Sequence, residues 1–172
     1  VLTLMKADWQ GGLPLLGGEA LFCGYYLNEL LMHLLPREDA HPQLFSSYYA
    51  MLMRLANDET GKQREAALRC FEKALLRELG YGLMLRHDAA GLAVQADDCY
   101  TYRMEQGPVR LTHAEEAPQV VRGKTLLDLD IEDFDDPRTR IESKQLMRTL
   151  ITYYLGGKEL ETRRIFKELQ EL

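Results

Sequence analysis

The sequence predicts a mainly α fold, a helical bundle domain with a small β-hairpin-like insertion. Apolar residues recur at three- and four-residue spacing in long segments on both sides of the chain's middle. From about residue 81 to 124 that period is lost, and glycines alternate with short β-branched and aromatic segments. Pro or Gly stands where several of the helical patterns stop.

Residues 1–18 read as a strand end and a linker. Val1 to Asp8 alternates weakly, and Gln10-Gly11-Gly12-Leu13-Pro14 through Gly17-Gly18 has linker composition. A strand with nothing before it to pair with implies an upstream domain, and the Val at position 1 reads as a processed or truncated start. Residues 19–172 form the helical unit. Glu19 to Leu35 is the first helix, with Leu21, Leu27, Leu30, Leu31 and Leu34 in register and Pro36 as its stop. Pro42 to Ala56 is the second, carrying Leu44, Phe45, Tyr48, Met51, Leu52 and Leu55 on one stripe. Gln63 to Leu79 is the third, with Leu68, Phe71, Leu75, Leu76 and Leu79 inward and Gly80 as a left-handed cap. Within the insertion, Tyr100 to Met104, Val109 to Thr112 and Gln119 to Val121 are candidate strands. Leu126 to Phe134 reads as a short acidic helix. Pro137 to Leu155 is a long one, with Ile141, Leu146, Leu150 and Tyr153 at helical spacing, and Pro137 suits its first turn. Gly156-Gly157 breaks the chain before a last amphipathic helix from Leu160 to Leu172.

Composition narrows the function classes. At 172 residues, 46% hydrophobic and 28% charged, the chain is an ordinary globular one. No apolar run is long enough to span a membrane, and the N-terminus lacks a secretory pattern. A net charge of −6 argues against a uniformly basic nucleic-acid binder and leaves room for a local basic patch. Cys23, Cys70 and Cys99 are odd in number and widely spaced. They form no disulfide framework, which favours a reducing cytoplasm, and Cys23 and Cys70 read as buried thiols.

Catalytic constellations are not found. Gly11-Gly12 and Gly17-Gly18 lack the lysine and strand–helix setting of a phosphate loop, and there is no nucleophile elbow. His33, His41, His87 and His113 stand apart from one another. The acidic run Asp128, Asp130, Glu132, Asp133, Asp135 and Asp136 lacks the ligand spacing and central glycine of a calcium loop, and reads as a solvated helix start. His87 and Cys99 alone cannot close a tetrahedral zinc site. The expectation is therefore no enzyme, no cofactor and no metal.

Basic residues carry more information. Arg140, Lys144 and Arg148 are four apart and share one helical face, and Lys158, Arg163, Arg164 and Lys167 cluster around the last helix. Such a stripe suits a phosphate backbone; with Glu142, Glu159, Glu161 and Glu168 nearby it equally suits a solvated face. On the third helix Arg69, Lys73 and Arg77 border the face bearing Leu68, Phe71 and Leu75. An apolar groove rimmed by arginine fits an acidic peptide that ends in hydrophobic residues, and a plain amphipathic helix has the same pattern.

Three blocks resemble a known family. Tyr25-Tyr26-Leu27-Asn28-Glu29-Leu30-Leu31, then Arg69-Cys70-Phe71-Glu72-Lys73-Ala74-Leu75-Leu76 with Leu79-Gly80-Tyr81, then Tyr154-Leu155-Gly156-Gly157-Lys158-Glu159-Leu160 with Thr162-Arg163-Arg164 occur in order. Together they resemble the C-terminal domain of the bacterial RecO family across nearly the whole chain. The resemblance implies DNA repair and homologous recombination in the RecF pathway, in the cytoplasm and associated with the nucleoid. It implies as partners RecR, single- and double-stranded DNA in the full-length protein, and the acidic, phenylalanine-ended tail of single-stranded DNA-binding protein (SSB). It points to Leu44 and Arg69 for that tail, to which periodicity adds Leu68, Phe71, Lys73 and Leu75. It also implies an N-terminal OB-fold that is missing here, except for a last strand at Val1 to Ala7. Many relatives have a four-cysteine zinc module after the Leu-Gly-Tyr segment; His87-Asp88-Ala89-Ala90-Gly91 and Asp97-Asp98-Cys99 stand there instead, so the hairpin is expected to be held by packing alone. The competing readings are a helical scaffold or transcriptional regulatory module and a stand-alone ligand-binding or enzymatic domain.

Overall fold

The computed structural model describes residues 5, 6, 8, 12, 14–58, 61, 63–112 and 117–170. Among them are six helices and one three-stranded antiparallel sheet, so the mainly α expectation holds. The strand end expected at Val1 to Ala7 falls almost wholly outside the described residues, as does His113.

The first three helices are set by their ends as much as by their stripes. Helix α1 (Gly18–Leu34) stops because Leu35, forced extended by the proline after it, leaves the helical region. Helix α2 (Pro42–Asn57) starts with Pro42 in its first turn, where a missing N–H costs nothing. Helix α3 (Arg64–Glu78) ends in a Schellman turn. Gly80, at φ 81°, donates to Arg77 O at 3.0 Å, and Tyr81 donates to Leu76 O at 2.8 Å. These helices bury Leu27, Leu30, Leu44, Met51, Leu55, Phe71 and Leu75 in one core. Ile151, Leu155 and Leu160, from far along the chain, complete it.

A second core lies under the insertion. Strand β1 (Cys99–Arg103) sits between β2 (Gly107–Arg110) and β3 (Val121–Arg122), each shifted by up to two residues from expectation. Tyr100, opposite both Arg110 and Val121, packs with Leu76, Leu85, Val94, Leu126, Leu146 and Leu150. The expectation that packing alone holds the hairpin needs correction. Asp88 Oδ1 accepts from the N–H groups of Ala90 and Leu92, both at 2.9 Å, and so organises the turn. Tyr100 and Tyr102 hydroxyls take the N–H groups of Gln95 and Met84.

Helix α4 (Gly123–Ile131) begins earlier than expected, directly from β3. Only glycine fits there, since a Cβ at position 123 would lie 1.8 Å from the Gln95 carbonyl oxygen. Helix α5 (Pro137–Tyr154) starts at Asp136, whose side chain caps Arg138 N–H at 2.8 Å. The stripe expected on α5 is partly wrong: Ile141 is 59% exposed and Tyr153 47%. The inward face is Leu146, Met147, Leu150 and Ile151, continued toward the N-terminus by Thr139, Glu142 and Ser143. Thr139 and Glu142 are polar because they meet Thr125 and Asp128 of α4. Glu142 accepts from Thr125 Oγ1 at 2.6 Å, Arg122 N–H at 3.0 Å and Arg138 Nε at 2.7 Å, and Asp128 accepts from Thr139 at 2.7 Å. Helix α6 (Glu161–Gln170) docks on α1. Glu29 caps it from across the chain, accepting from Glu161 N at 2.7 Å, Thr162 N at 3.0 Å and Thr162 Oγ1 at 2.6 Å.

Candidate partner-binding site

The arginine-rimmed apolar groove expected on the third helix is filled by α2. Leu44, Phe71 and Leu75 interlock in the first core, and half-buried Leu68 packs against it. Tyr48 closes over Phe71, with ring centroids 6.4 Å apart, because α2 and α3 pack directly on each other. These side chains fix the position of α3 and offer little surface of their own.

The basic residues of α3 part company in the same way. Lys73 is turned to α4, where its Nζ donates to Leu129 O at 3.1 Å and Asp130 O at 2.7 Å and pairs with Glu132 at 3.0 Å. It satisfies carbonyls left open at the end of that helix. Arg69 is buried, and its Nη2 lies 2.6 Å from Glu72 Oε1, which also accepts from Tyr26 OH at 2.5 Å. Burial pushes the Glu72 carboxyl above the usual range, and Arg69 and Tyr26 pull it back. Burial and the Glu72 charge push the Tyr26 phenol upward in turn.

What Arg69 does reach is a small cavity of about 10 Å³ between α3 and the start of α5. Glu65, Ala66, Arg69, Phe134, Arg140 and Lys144 line it. The space is enough for one small polar atom. Arg69 Nε has no acceptor among the described residues. Arg140 Nη1 is held by Phe134 O at 2.8 Å and Asp135 O at 3.1 Å, and Lys144 Nζ lies 2.6 Å from Glu65. The Lys144 hydrogen bond, with further pull from the Lys144, Arg69 and Arg140 charges, holds the Glu65 carboxyl below its ordinary range. Three cations, one carboxylate and Phe134 therefore meet in one place.

The structure thus combines one residue expected for peptide binding with two expected for nucleic acid. Periodicity had no means of joining them, because Arg69 lies on a different helix from Arg140 and Lys144, and Glu65 and Phe134 carried no signal. The remaining basic residues do not form one surface. Arg148 continues the outer edge of α5, and Lys158 is exposed beyond it. Arg163 lies over the Tyr26 ring at 5.6 Å, and Arg164 pairs with Glu161 at 2.6 Å and Glu168 at 3.5 Å. The Lys167 side chain lies outside the described residues.

Much of the acidic run is spent on internal contacts. Asp128 meets Lys124 and Thr139, Asp130 meets Arg86, and Asp136 meets Arg122. Among the described residues no three His, Cys, Asp or Glu side chains converge on a metal-sized space, and no helix is long and apolar enough to cross a membrane. The three cysteines are free and half-buried rather than fully buried. Burial and the Glu132 charge push the Cys70 thiol up to about 11, which suits a packing role and not a nucleophile.

Comparison with known proteins adds an independent line. The family model described as "Recombination protein O C terminal" matches residues 16–164. The chain is 76% identical over 172 residues to a DNA repair protein RecO of Dechloromonas aromatica, covering all of this chain and 71% of that protein. It is 50% identical over 176 residues to a protein of the same description from Azoarcus sp., and 49% identical over 173 residues to one from Aromatoleum aromaticum. In both cases the match again covers 71% of the relative.

Proposed function

The chain belongs to the family of recombination protein O C-terminal domains, and from that premise we propose that it serves DNA repair and homologous recombination as a non-catalytic docking domain. Its ligand is an acidic peptide ending in an aromatic residue, the chemistry of the SSB tail. The observation that carries this reading is the convergence of Arg69, Arg140 and Lys144 beside Phe134. A cluster of arginine and lysine favours carboxylates through charge-assisted hydrogen bonds, and the Nε of Arg69 has no acceptor among the described residues. Leu44, Leu68, Phe71 and Leu75 support the site from beneath by fixing α3, and Lys73 does so by locking α3 to α4. RecR and DNA are further partners on the family reading. Arg148 and Lys158, exposed along and beyond α5, are the positions best placed for phosphate.

Titration of a labelled acidic, phenylalanine-ended peptide tests the reading. Arg140 and Lys144 are the residues to change, since both are exposed. Arg140→Ala combined with Lys144→Ala is expected to weaken binding by about five- to thirtyfold, the loss of about 1–2 kcal/mol. Unaltered affinity in that double variant places the peptide elsewhere.

A further inference from the structure

Glu65 stands where a ligand carboxylate would stand. It lies in the first turn of α3, and its side chain is 57% exposed. Its Oε1 is 2.6 Å from Lys144 Nζ, and Arg69 and Arg140 line the same cavity. The bond between Glu65 and Lys144 bridges α3 and α5. An exposed bridge of this kind adds little to stability, and these helices already pack through the two cores. Holding the helices together is therefore an insufficient account of its placement.

We infer that Glu65 is an internal competitor for the acidic segment, occupying Lys144 in the free domain and yielding it when the segment docks. This rests on the peptide-docking reading above. A ligand with a single carboxylate exchanges one ion pair for another and gains little. A ligand with several carboxylates displaces Glu65 and also engages Arg69 and Arg140. Glu65 in this way makes the site selective for densely acidic segments.

The test uses polarisation of labelled phenylalanine-ended peptides carrying one or several aspartates, at low and physiological salt. Glu65→Gln is expected to tighten binding by about two- to fivefold, with the larger gain for the less acidic peptide. Lys144→Gln is expected to cost little alone and more in the Glu65→Gln background, because only there is its charge unoccupied. Binding by the unmodified domain that Glu65→Gln leaves unchanged or weakens overturns the competitor role and leaves the docking reading standing. Equal costs of Lys144→Gln in the two backgrounds do the same. Failure of both the unmodified domain and Glu65→Gln to bind any of the peptides overturns both.

Discussion

Replacing Arg69 by Met removes the cation beside a carboxylate that has almost no contact with water. Glu72 is 1% exposed, and its two partners are Arg69 at 2.6 Å and Tyr26 at 2.5 Å. Breaking a buried pair by deleting one member costs about 3–5 kcal/mol, because the remaining charge is left without compensation. For a chain of this size that corresponds to a fall in Tm of about 6–20 °C. The loss also depends on pH. Burial already raises the Glu72 carboxyl above its unfolded value, and loss of Arg69 raises it further. A raised carboxyl means that the folded state holds more protons than the unfolded one between the two pKa values. Stability of Arg69→Met must therefore fall as pH rises through that window and recover on the acid side. Arg69→Met combined with Glu72→Met should regain stability to within about 1 kcal/mol of the original, since no unpaired charge is left. Thermal and urea unfolding followed by circular dichroism, across pH 4 to 8, measures all of this. A single variant within about 1 kcal/mol of the original at every pH refutes the buried pair. So does a double variant no better than the single one. Arg69 is therefore a poor residue for testing peptide binding: its loss disturbs the fold as well as the site.

Gly123→Ala sets a methyl 1.8 Å from the Gln95 carbonyl oxygen, at the joint where β3 becomes α4. It is expected to destabilise by about 2 kcal/mol or more, read as a lower urea midpoint at unchanged slope. Glu142 gives the opposite pH signature to Glu72. Burial opposes its ionisation, but hydrogen bonds from Thr125, the Arg122 backbone and Arg138 outweigh burial and hold its carboxyl low. Its contribution is present above the unfolded carboxylate pKa and lost as pH falls through the folded value. Glu142→Gln is expected to lower stability near neutrality and to flatten the acid limb of a stability–pH curve.

The helices were legible because their stripes and stops are local. Leu27, Leu30 and Leu34 mark one face of α1, and Pro36 and Gly80 mark ends that any context would respect. The insertion was legible as strand and turn, though not in register, because pairing is set by contacts such as Tyr100 with Val121 that lie far apart along the chain. Helix α5 misled at Ile141 and Tyr153. Its buried face changes from apolar to polar where Thr125 and Asp128 oppose it, and a rule that seeks apolar residues cannot see a buried Glu142 or Ser143. The candidate site was half legible. Spacing showed Arg140 with Lys144 and Arg69 separately, but their meeting depends on the approach of α3 to α5, and Glu65 between them looked like any exposed acid.

The first core draws on segments at both ends of the helical unit. Ala20 and Leu27 come early in the chain, and Leu155 and Leu160 are needed to cover them. Glu29 then waits for Thr162, 133 residues later, before α6 has its cap. During synthesis the first three helices must emerge, and remain for a time, without the residues that seal them. The part of their apolar surface that packs with Ile151, Leu155 and Leu160 stays accessible until that segment leaves the ribosome. The domain therefore completes its fold late and all together, and a nascent chain halted before Leu155 should behave as a sticky, partly formed bundle and not as a smaller version of the finished one.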